Sequence, residues 1–468
     1  MTPQLITPPR RALADLGEVI GAERLRILRA AADDLRRRLN GRTVWQINST
    51  ATGGGVAEML QVLMGYLADA ELPTQWLVVG GEGEFFEITK RLHNRMHGAS
   101  SGPPLTEADA AAYARTTAVN AAAVAELAKP GDLVVLHDPQ TAGMAPLLAS
   151  RGITVIWRCH IGADRRTPVG DEAWEFLRPH LLSASAYVFS LAHYRPDFLP
   201  EERTVVIPPS IDPIAPKNAE LDPGTVEAVL RACGVIAGGP DGPARFLRRD
   251  GRPGEVTHTA KVLADELPAL DEPMLVQISR WDRLKDMAGV LTAFAERIAP
   301  GGPGCLVLAG PQVDEVGDDP EGAQVYAECQ AVWQALPRQS RRRAVLASLP
   351  MEDLDENAVM VNALQRHSVV IAQKSLAEGF GLTVAEAMWK RRPVVGSAVG
   401  GILDQLADGR GVLVEPADAA GFAGAVRRLI DDPAEASRMG IAAHEFVHRE
   451  YLGDRHLLRW AELIGRFL

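Results

Sequence analysis

Short runs of aliphatic and β-branched residues alternate with stretches of helical periodicity, and this alternation occurs twice along the chain. The first series comprises TVWQINS (43–49), WLVVGG (76–81), LVVLHDP (133–139), ITVIWRCH (153–160), AYVFSL (186–191) and TVVIPPS (204–210). The second comprises MLVQIS (274–279), CLVLAG (305–310), AVLASL (344–349), VVIAQ (369–373), PVVGSA (393–398) and GVLVEP (411–416). Near-continuous apolar strands separated by helices predict parallel sheets covered on both faces, so the pattern predicts an α/β chain of two doubly wound domains in succession. Between the series, residues 234–260 are rich in Gly, Pro and Arg and carry no apolar period, which reads as a linker or surface insertion. Leu457, Leu458, Trp460, Leu463, Ile464 and Phe467 recur at near-helical spacing and predict a terminal helix with one apolar face. The expected organisation is a first domain over 1–233, a linker or insertion over 234–265 and a second domain over 266–449, with a final helix over about 450–468.

Composition changes this picture little. A length of 468 residues suits two domains, and 47% hydrophobic with 23% charged residues is ordinary for a soluble globular protein. The net charge of −11 argues against a nucleic-acid or anionic-membrane binder, and the excess of 42 Arg over 7 Lys reads as codon bias. Four scattered cysteines show no C-x-x-C spacing, so no disulfide framework or zinc knuckle is expected. No apolar leader or membrane-spanning stretch stands out, and a cytoplasmic location is expected.

Candidate chemistry concentrates where strands pass into helices. After the first strand, Gly53, Gly54 and Gly55 precede a helix marked by Val56, Met59, Leu60, Leu63, Met64 and Leu67. Glycines there admit a close backbone approach, and the free N–H groups of a helix start favour an anion. Glu58 stands where a dinucleotide fingerprint needs its third glycine, and no Gly-Lys-Ser/Thr follows, which weakens nicotinamide and Walker-type readings. Arg280 and Lys285 follow the first strand of the second series and suit a diphosphate, although solvated loop charge reads equally well. In KSLAEGFGLTVAEAMW, Glu378 and Glu386 flank Gly379-Phe380-Gly381 at a helix start. Carboxylates accept from sugar hydroxyls, and amides at a helix N-terminus suit hydroxyl or phosphate oxygens. The competing reading is a capping box, since Thr383 and Glu386 have the T-x-x-E spacing.

Taken together, GFGLTVAEAMW with Glu378 and Glu386 resembles the E-x7-E motif of family 4 retaining glycosyltransferases, whose fold is GT-B, two Rossmann-like domains facing a central cleft. NST-x2-GGGVAE, EFFEITKRLHN, HDPQ, WRCHI, PPSIDP-x3-KN, SRWDRLKD and DDPEG, with VGGI-x2-Q after the glutamates, resemble its trehalose synthase branch. The resemblance implies that the final helix, about 450–468, crosses back to the first domain, and it implies a retaining transferase moving a sugar, glucose in that branch, from a nucleoside diphosphate sugar of the UDP-, ADP- or GDP-glucose type to a sugar or polyol. It assigns donor binding to Gly54, Gly55, Arg280, Lys285, Glu378, Gly379, Phe380, Gly381, Leu382, Thr383 and Glu386, with Glu386 on the ribose. It places His160 against the reacting sugar, so that His160, Glu378, Arg280 and Lys285 form the catalytic set, with no protein nucleophile. For the acceptor, the loops beyond the first domain's strands suggest Glu84, Phe85, Lys90, His93 and Asn94, with Asp138, Gln140 and Arg158, although a core contact for Phe85 and a solvated helix face for His93 read equally well. No cofactor, metal, nucleic-acid partner or stable membrane insertion is expected, and a homodimer is compatible with the sequence. A phosphorylase of the same fold, a sugar-nucleotide sensor without turnover and an NAD-dependent oxidoreductase are the competing functions.

Overall fold

The computed structural model describes all residues except 1–2, 52–54, 100–101 and 314–319, with the backbone alone at 320. By contacts the chain divides into two compact units, Met1–Ser210 with Tyr451–Leu468, and Ile211–Glu450. Both are α/β units built on a seven-stranded, mainly parallel sheet.

In the first unit the strands are β1 (Gln4–Ile6), β2 (Val44–Asn48), β3 (Thr74–Val78), β4 (Leu133–His137), β5 (Thr154–Cys159), β6 (Ala186–Phe189) and β7 (Thr204–Val206). Their order is β1-β3-β2-β4-β5-β6-β7, parallel except for β1, which pairs antiparallel with β3. All five residues of β2 and of β4 are buried, as a strand covered on both faces requires. One face packs on a core containing Ile47, Leu136, Val155, Trp157 and Phe189. The other packs Val44, Leu133, Val135 and Ile156 against Leu35, Trp460 and Ile464. The second of these cores draws on the helices Ala22–Leu39 and Gly453–Gly465, and a bidentate ion pair from Arg24 to the buried Asp454 at 2.7 and 2.8 Å ties these helices together.

The second unit contains a small antiparallel hairpin of β8 (Arg245–Leu247) and β9 (Pro253–Glu255). Its main strands are β10 (Lys261–Leu263), β11 (Met274–Ile278), β12 (Cys305–Pro311), β13 (Ala344–Leu349), β14 (Val370–Gln373), β15 (Val394–Ser397) and β16 (Val412–Val414), in the order β10-β13-β12-β11-β14-β15-β16.

Two expectations are corrected. The chain enters the second unit at Ile211, not after 233, because the helix Pro223–Ala232 packs on the helix Leu354–His367. Residues 234–265 are not a linker but part of the second unit. Within them β10 adds an antiparallel edge strand to β13, and Arg248 and Arg249 pair with Asp353 and Asp355 at 2.7 and 2.6 Å.

Strand order also locates the ligand-binding ends. The parallel part of each sheet grows from a central strand, β2 or β11, outward in both directions, so the switch points lie between β2 and β4 and between β11 and β14. The carboxyl ends of such strands leave a crevice where ligands of doubly wound sheets bind.

Candidate functional site

At the switch point of the second unit, the loop after β11 and the loop after β14 are fastened together by Gln277. Its Nε2 donates to Lys285 O at 2.7 Å, and its Oε1 accepts from Lys374 N at 3.0 Å. Leu376 N donates to Leu284 O at 2.7 Å, which closes the join. The result is an ion pair between Lys285 Nζ and Glu378 Oε2 at 2.7 Å, with side chains only 16% and 11% exposed. Gln373 Nε2 and Ser375 Oγ approach the same carboxylate oxygen at 3.4 and 3.2 Å. Lys374 pairs with Asp286, and the exposed Arg280 reaches Asp282 at 3.1 Å.

Gly379, Phe380 and Gly381 follow Glu378 and turn the chain into the helix Leu382–Trp389. Gly381 is the N-cap and lies in the left-handed region at φ 86°, where a side chain is strained. Gln405 Nε2 donates to the Phe380 carbonyl at 2.6 Å, and Gly401 N donates to the Gly379 carbonyl at 2.9 Å. A Cβ on Gly400 would fall 1.9 Å from the Glu378 carbonyl, so glycine is what permits this approach. The first N–H groups of the helix, on Leu382 and Thr383, are those that a helix cannot satisfy internally.

The capping-box reading fails on this geometry. Thr383 sits inside the helix rather than at its cap, and its hydroxyl donates to Gln373 Oε1 at 3.0 Å. Glu386 is therefore not engaged by the cap. It is 6% exposed and its Oε1 lies 3.7 Å from Lys217 Nζ. One turn on, Lys390 is buried and donates to Asn218 Oδ1, Gln365 Oε1 and the Glu386 carbonyl at 3.0, 2.7 and 3.2 Å. Burial pushes the Lys390 amine down to about 7, with Glu386 opposing the shift.

A second constellation lies at the switch point of the first unit. His137 ends β4, and its Nδ1 stands 3.1 Å from His160 Nε2 while its Nε2 stands 2.8 Å from Gln46 Oε1. Asp138 follows at φ 63°, a left-handed conformation rare outside glycine, and its Oδ1 accepts from His160 N at 2.7 Å. Arg158 Nε donates to His160 Nε2 at 3.4 Å. Burial raises Asp138 to about 7 and lowers Arg158 to about 10. Burial, then Arg158, holds His137 down at about 3 and His160 well below its usual range. The rings are thus neutral around one buried cation.

Of the expected acceptor residues, Asp138 and Arg158 meet at His160, and half-buried Gln140 lies on the short helix begun by Asp138. Glu84, Lys90, His93 and Asn94 lie on the helix Gly83–Met96, which packs against that short helix. Glu84 and Lys90 are exposed, whereas His93 stacks edge-on against His97. Two of these assignments are corrected. Phe85 is 2% exposed and packs on Tyr113 with ring centroids 5.9 Å apart, so it is a core residue. Arg158 is 0% exposed and so cannot contact an acceptor directly. Gly54 lies outside the described residues, and Gly55 begins the helix Gly55–Asp69. The sequence reading missed His137, Gln46, Gln373, Lys217 and Lys390. His137 was within reach, since it belongs to the HDPQ string.

The two seven-stranded, mainly parallel sheets are those of the GT-B fold. Solved structures agree: an α,α-trehalose-phosphate synthase (UDP-forming) from Burkholderia vietnamiensis aligns at TM-score 0.64 and 16% identity, over 91% of this chain and 99% of that one. The E. coli trehalose-6-phosphate protein bound with UDP-2-fluoro glucose aligns at TM-score 0.66 and 13% identity, over 91% and 98%. Residues 46–196 match the trehalose synthase N-terminal domain, and residues 352–446 match glycosyl transferases group 1. The trehalose synthase of Rubrobacter xylanophilus is 33% identical over 469 residues, covering 99% of both chains, and that of Pyrococcus horikoshii is 33% identical over 97% of this chain and 96% of its own. A trehalose phosphorylase from Pleurotus pulmonarius is 26% identical over 94% of this chain and 58% of its own. The chain belongs to the trehalose synthase family of glycosyltransferase-like enzymes.

Proposed function

We propose that the protein is a retaining glycosyltransferase that moves glucose from a nucleoside diphosphate glucose to a sugar or polyol acceptor, with an α-linked disaccharide of the trehalose type as product. The observation that carries this reading is the Lys285–Glu378 pair, 2.7 Å apart beside the glycine turn at the helix start. A diphosphate attracts Lys285 and Arg280, and a sugar hydroxyl engages Glu378, so donor binding replaces an internal ion pair with two ligand contacts. Glu386 takes the ribose hydroxyls, and the amides of Leu382 and Thr383 hold sugar or phosphate oxygens.

In the transfer step the bond from C1 to the phosphate oxygen breaks as a bond from the acceptor oxygen to C1 forms on the same face. The acceptor's proton passes to the departing phosphate oxygen. Lys285 and Arg280 stabilise the charge developing on that phosphate. No carboxylate is assigned as nucleophile, so the step differs from that of a retaining hydrolase. His160, neutral and half-buried, serves the reacting sugar as a hydrogen-bonding group.

The phosphorylase reading is kept because a trehalose phosphorylase is among the relatives. One panel separates the readings: UDP-, ADP- and GDP-glucose, and glucose 1-phosphate, each with glucose and with polyols, followed by NMR of the product linkage. Nucleotide release with an α-linked product supports the transferase, and turnover of glucose 1-phosphate alone supports the phosphorylase. Saturable donor binding without turnover refutes both and leaves a sensor.

A further inference from the structure

The proposed reaction uses His160, but the structure buries a cation directly behind that ring which the reaction has not yet employed. Arg158 lies on β5 with Ile156, two residues earlier, on the face that packs beneath the helix Gly453–Gly465. It is fully buried, and its Nη1 and Nη2 atoms have no hydrogen-bond partner. Two aromatic side chains approach it. Trp460 presents its ring 5.8 Å from the guanidinium carbon, and His160 Nε2 receives the Nε–H at 3.4 Å. Trp460 is itself fixed, because its indole N–H donates to His456 Nε2 at 3.0 Å while His456 Nδ1 is anchored 2.9 Å from the Pro208 carbonyl.

We propose that Arg158, backed by Trp460, is a positioning residue for glycosyl transfer that fixes both the orientation and the tautomer of His160. The chemistry is one-sided, since a guanidinium only donates. Its approach to Nε2 demands a lone pair there, so the proton of the neutral ring goes to Nδ1. His137 approaches the same nitrogen through its Nδ1 and can supply a second donor, while the amide of Gln46 can turn either end to the far side of His137. His160 then offers an N–H from Nδ1, suited to a sugar hydroxyl or ring oxygen. A buried charge with unmet donors is expensive, so its burial beside His160 is explained by a role other than stability. The groups facing His160 are Arg158 from β5, His137 from β4 and His456 from the terminal helix, together with the Asp138 carboxylate bonded to its backbone.

The inference rests on the transferase reading for its kinetic consequence but not for its structural one. Tautomer and titration of His160 are read in the free protein by ¹⁵N NMR of imidazole nitrogens, with His160→Gln to assign the signals. In the native protein Nε2 reports as the unprotonated nitrogen, and the ring does not titrate near neutral pH. Arg158→Met yields mixed tautomers and a titration moved toward the ordinary histidine range. With the best donor and acceptor from the panel, Arg158→Met lowers kcat by about 10-fold or more while donor KM stays within about twofold. Trp460→Leu does the same more weakly, and a native far-UV circular dichroism spectrum of both variants at the assay temperature guards against a mere folding defect. An unchanged tautomer and titration in Arg158→Met overturns the proposal, whatever happens to turnover. If no glycoside forms with any donor, the transferase reading falls while the NMR result still decides the role of Arg158.

Discussion

Replacing Lys285 by Met removes one half of an ion pair whose side chains are 16% and 11% exposed, and two consequences follow that can be measured apart. In the free protein, Glu378 keeps Gln373 and Ser375 at 3.4 and 3.2 Å but loses the Lys285 ammonium, so the variant is destabilised by roughly 1–3 kcal/mol, the cost of removing one partner of a part-buried ion pair. In the reaction, the lost contact to a departing phosphate is worth about 2–4 kcal/mol, which at 1.36 kcal/mol per tenfold is roughly 30- to 1000-fold in kcat/KM. Glu378→Gln alone removes the charge while keeping the shape. The double variant Lys285→Met with Glu378→Gln then recovers most of the stability in urea melts, because no unpaired charge is left, but recovers none of the turnover. Recovery of turnover along with stability would refute the reasoning, since the two residues would then be a structural pair with no separate contact to substrate.

Other predictions follow from single contacts. Gly400→Ala drives a methyl into the Glu378 carbonyl 1.9 Å away at a position with φ +50°, so it lowers both the melting temperature and donor affinity measured by calorimetry. Phe85→Ala empties a core site and costs about 3–5 kcal/mol in urea unfolding with acceptor KM unchanged. The Lys390 amine is pushed down to about 7 in the folded chain. Above that pH and below the usual lysine range the unfolded chain holds the extra proton, so stability rises with pH across this window. Lys390→Met should flatten that slope in urea melts at pH 7 and 9.5, and an undiminished slope would refute the assignment.

The two sheets were legible because their central strands, such as β2, β4, β11 and β13, are buried on both faces and read as largely apolar runs of five or six residues. The strands β1 and β10 were not legible. Each has three residues and pairs antiparallel at an edge, too short to show a period. The extent of the second unit was misjudged because Gly, Pro and Arg mark a chain without periodicity, not a chain without partners. Residues 248–258 are held by Asp353, Asp355 and Glu356 through ion pairs that no local pattern reveals.

The same division runs through the site. Glu378, Gly379, Gly381 and Glu386 stood out in the sequence because they crowd into one strand-to-helix turn, and the structure sets Glu378 against Lys285 beside that turn. For Phe85 the core reading, which stood level with the acceptor one, is the one its shared face with Ile88 and Leu92 favours. Arg158 was misread because polar residues near strand ends were taken to face ligand. Its parity with Ile156 places it instead on the covered face of the sheet. What covers that face, Trp460, lies some 300 residues further on, beyond the reach of any local pattern.

The helix Gly453–Gly465 completes a unit whose other elements all precede residue 211. On a ribosome, β2, β4 and β5 emerge long before the side chains of Trp460, Leu463 and Ile464 that cover them. The first unit must wait, partly uncovered, while the whole second unit is translated, at roughly 5–20 residues per second. Arg158 and His160 reach their final surroundings only when that helix docks, so the order of synthesis keeps the histidine site unfinished until the second unit has been made.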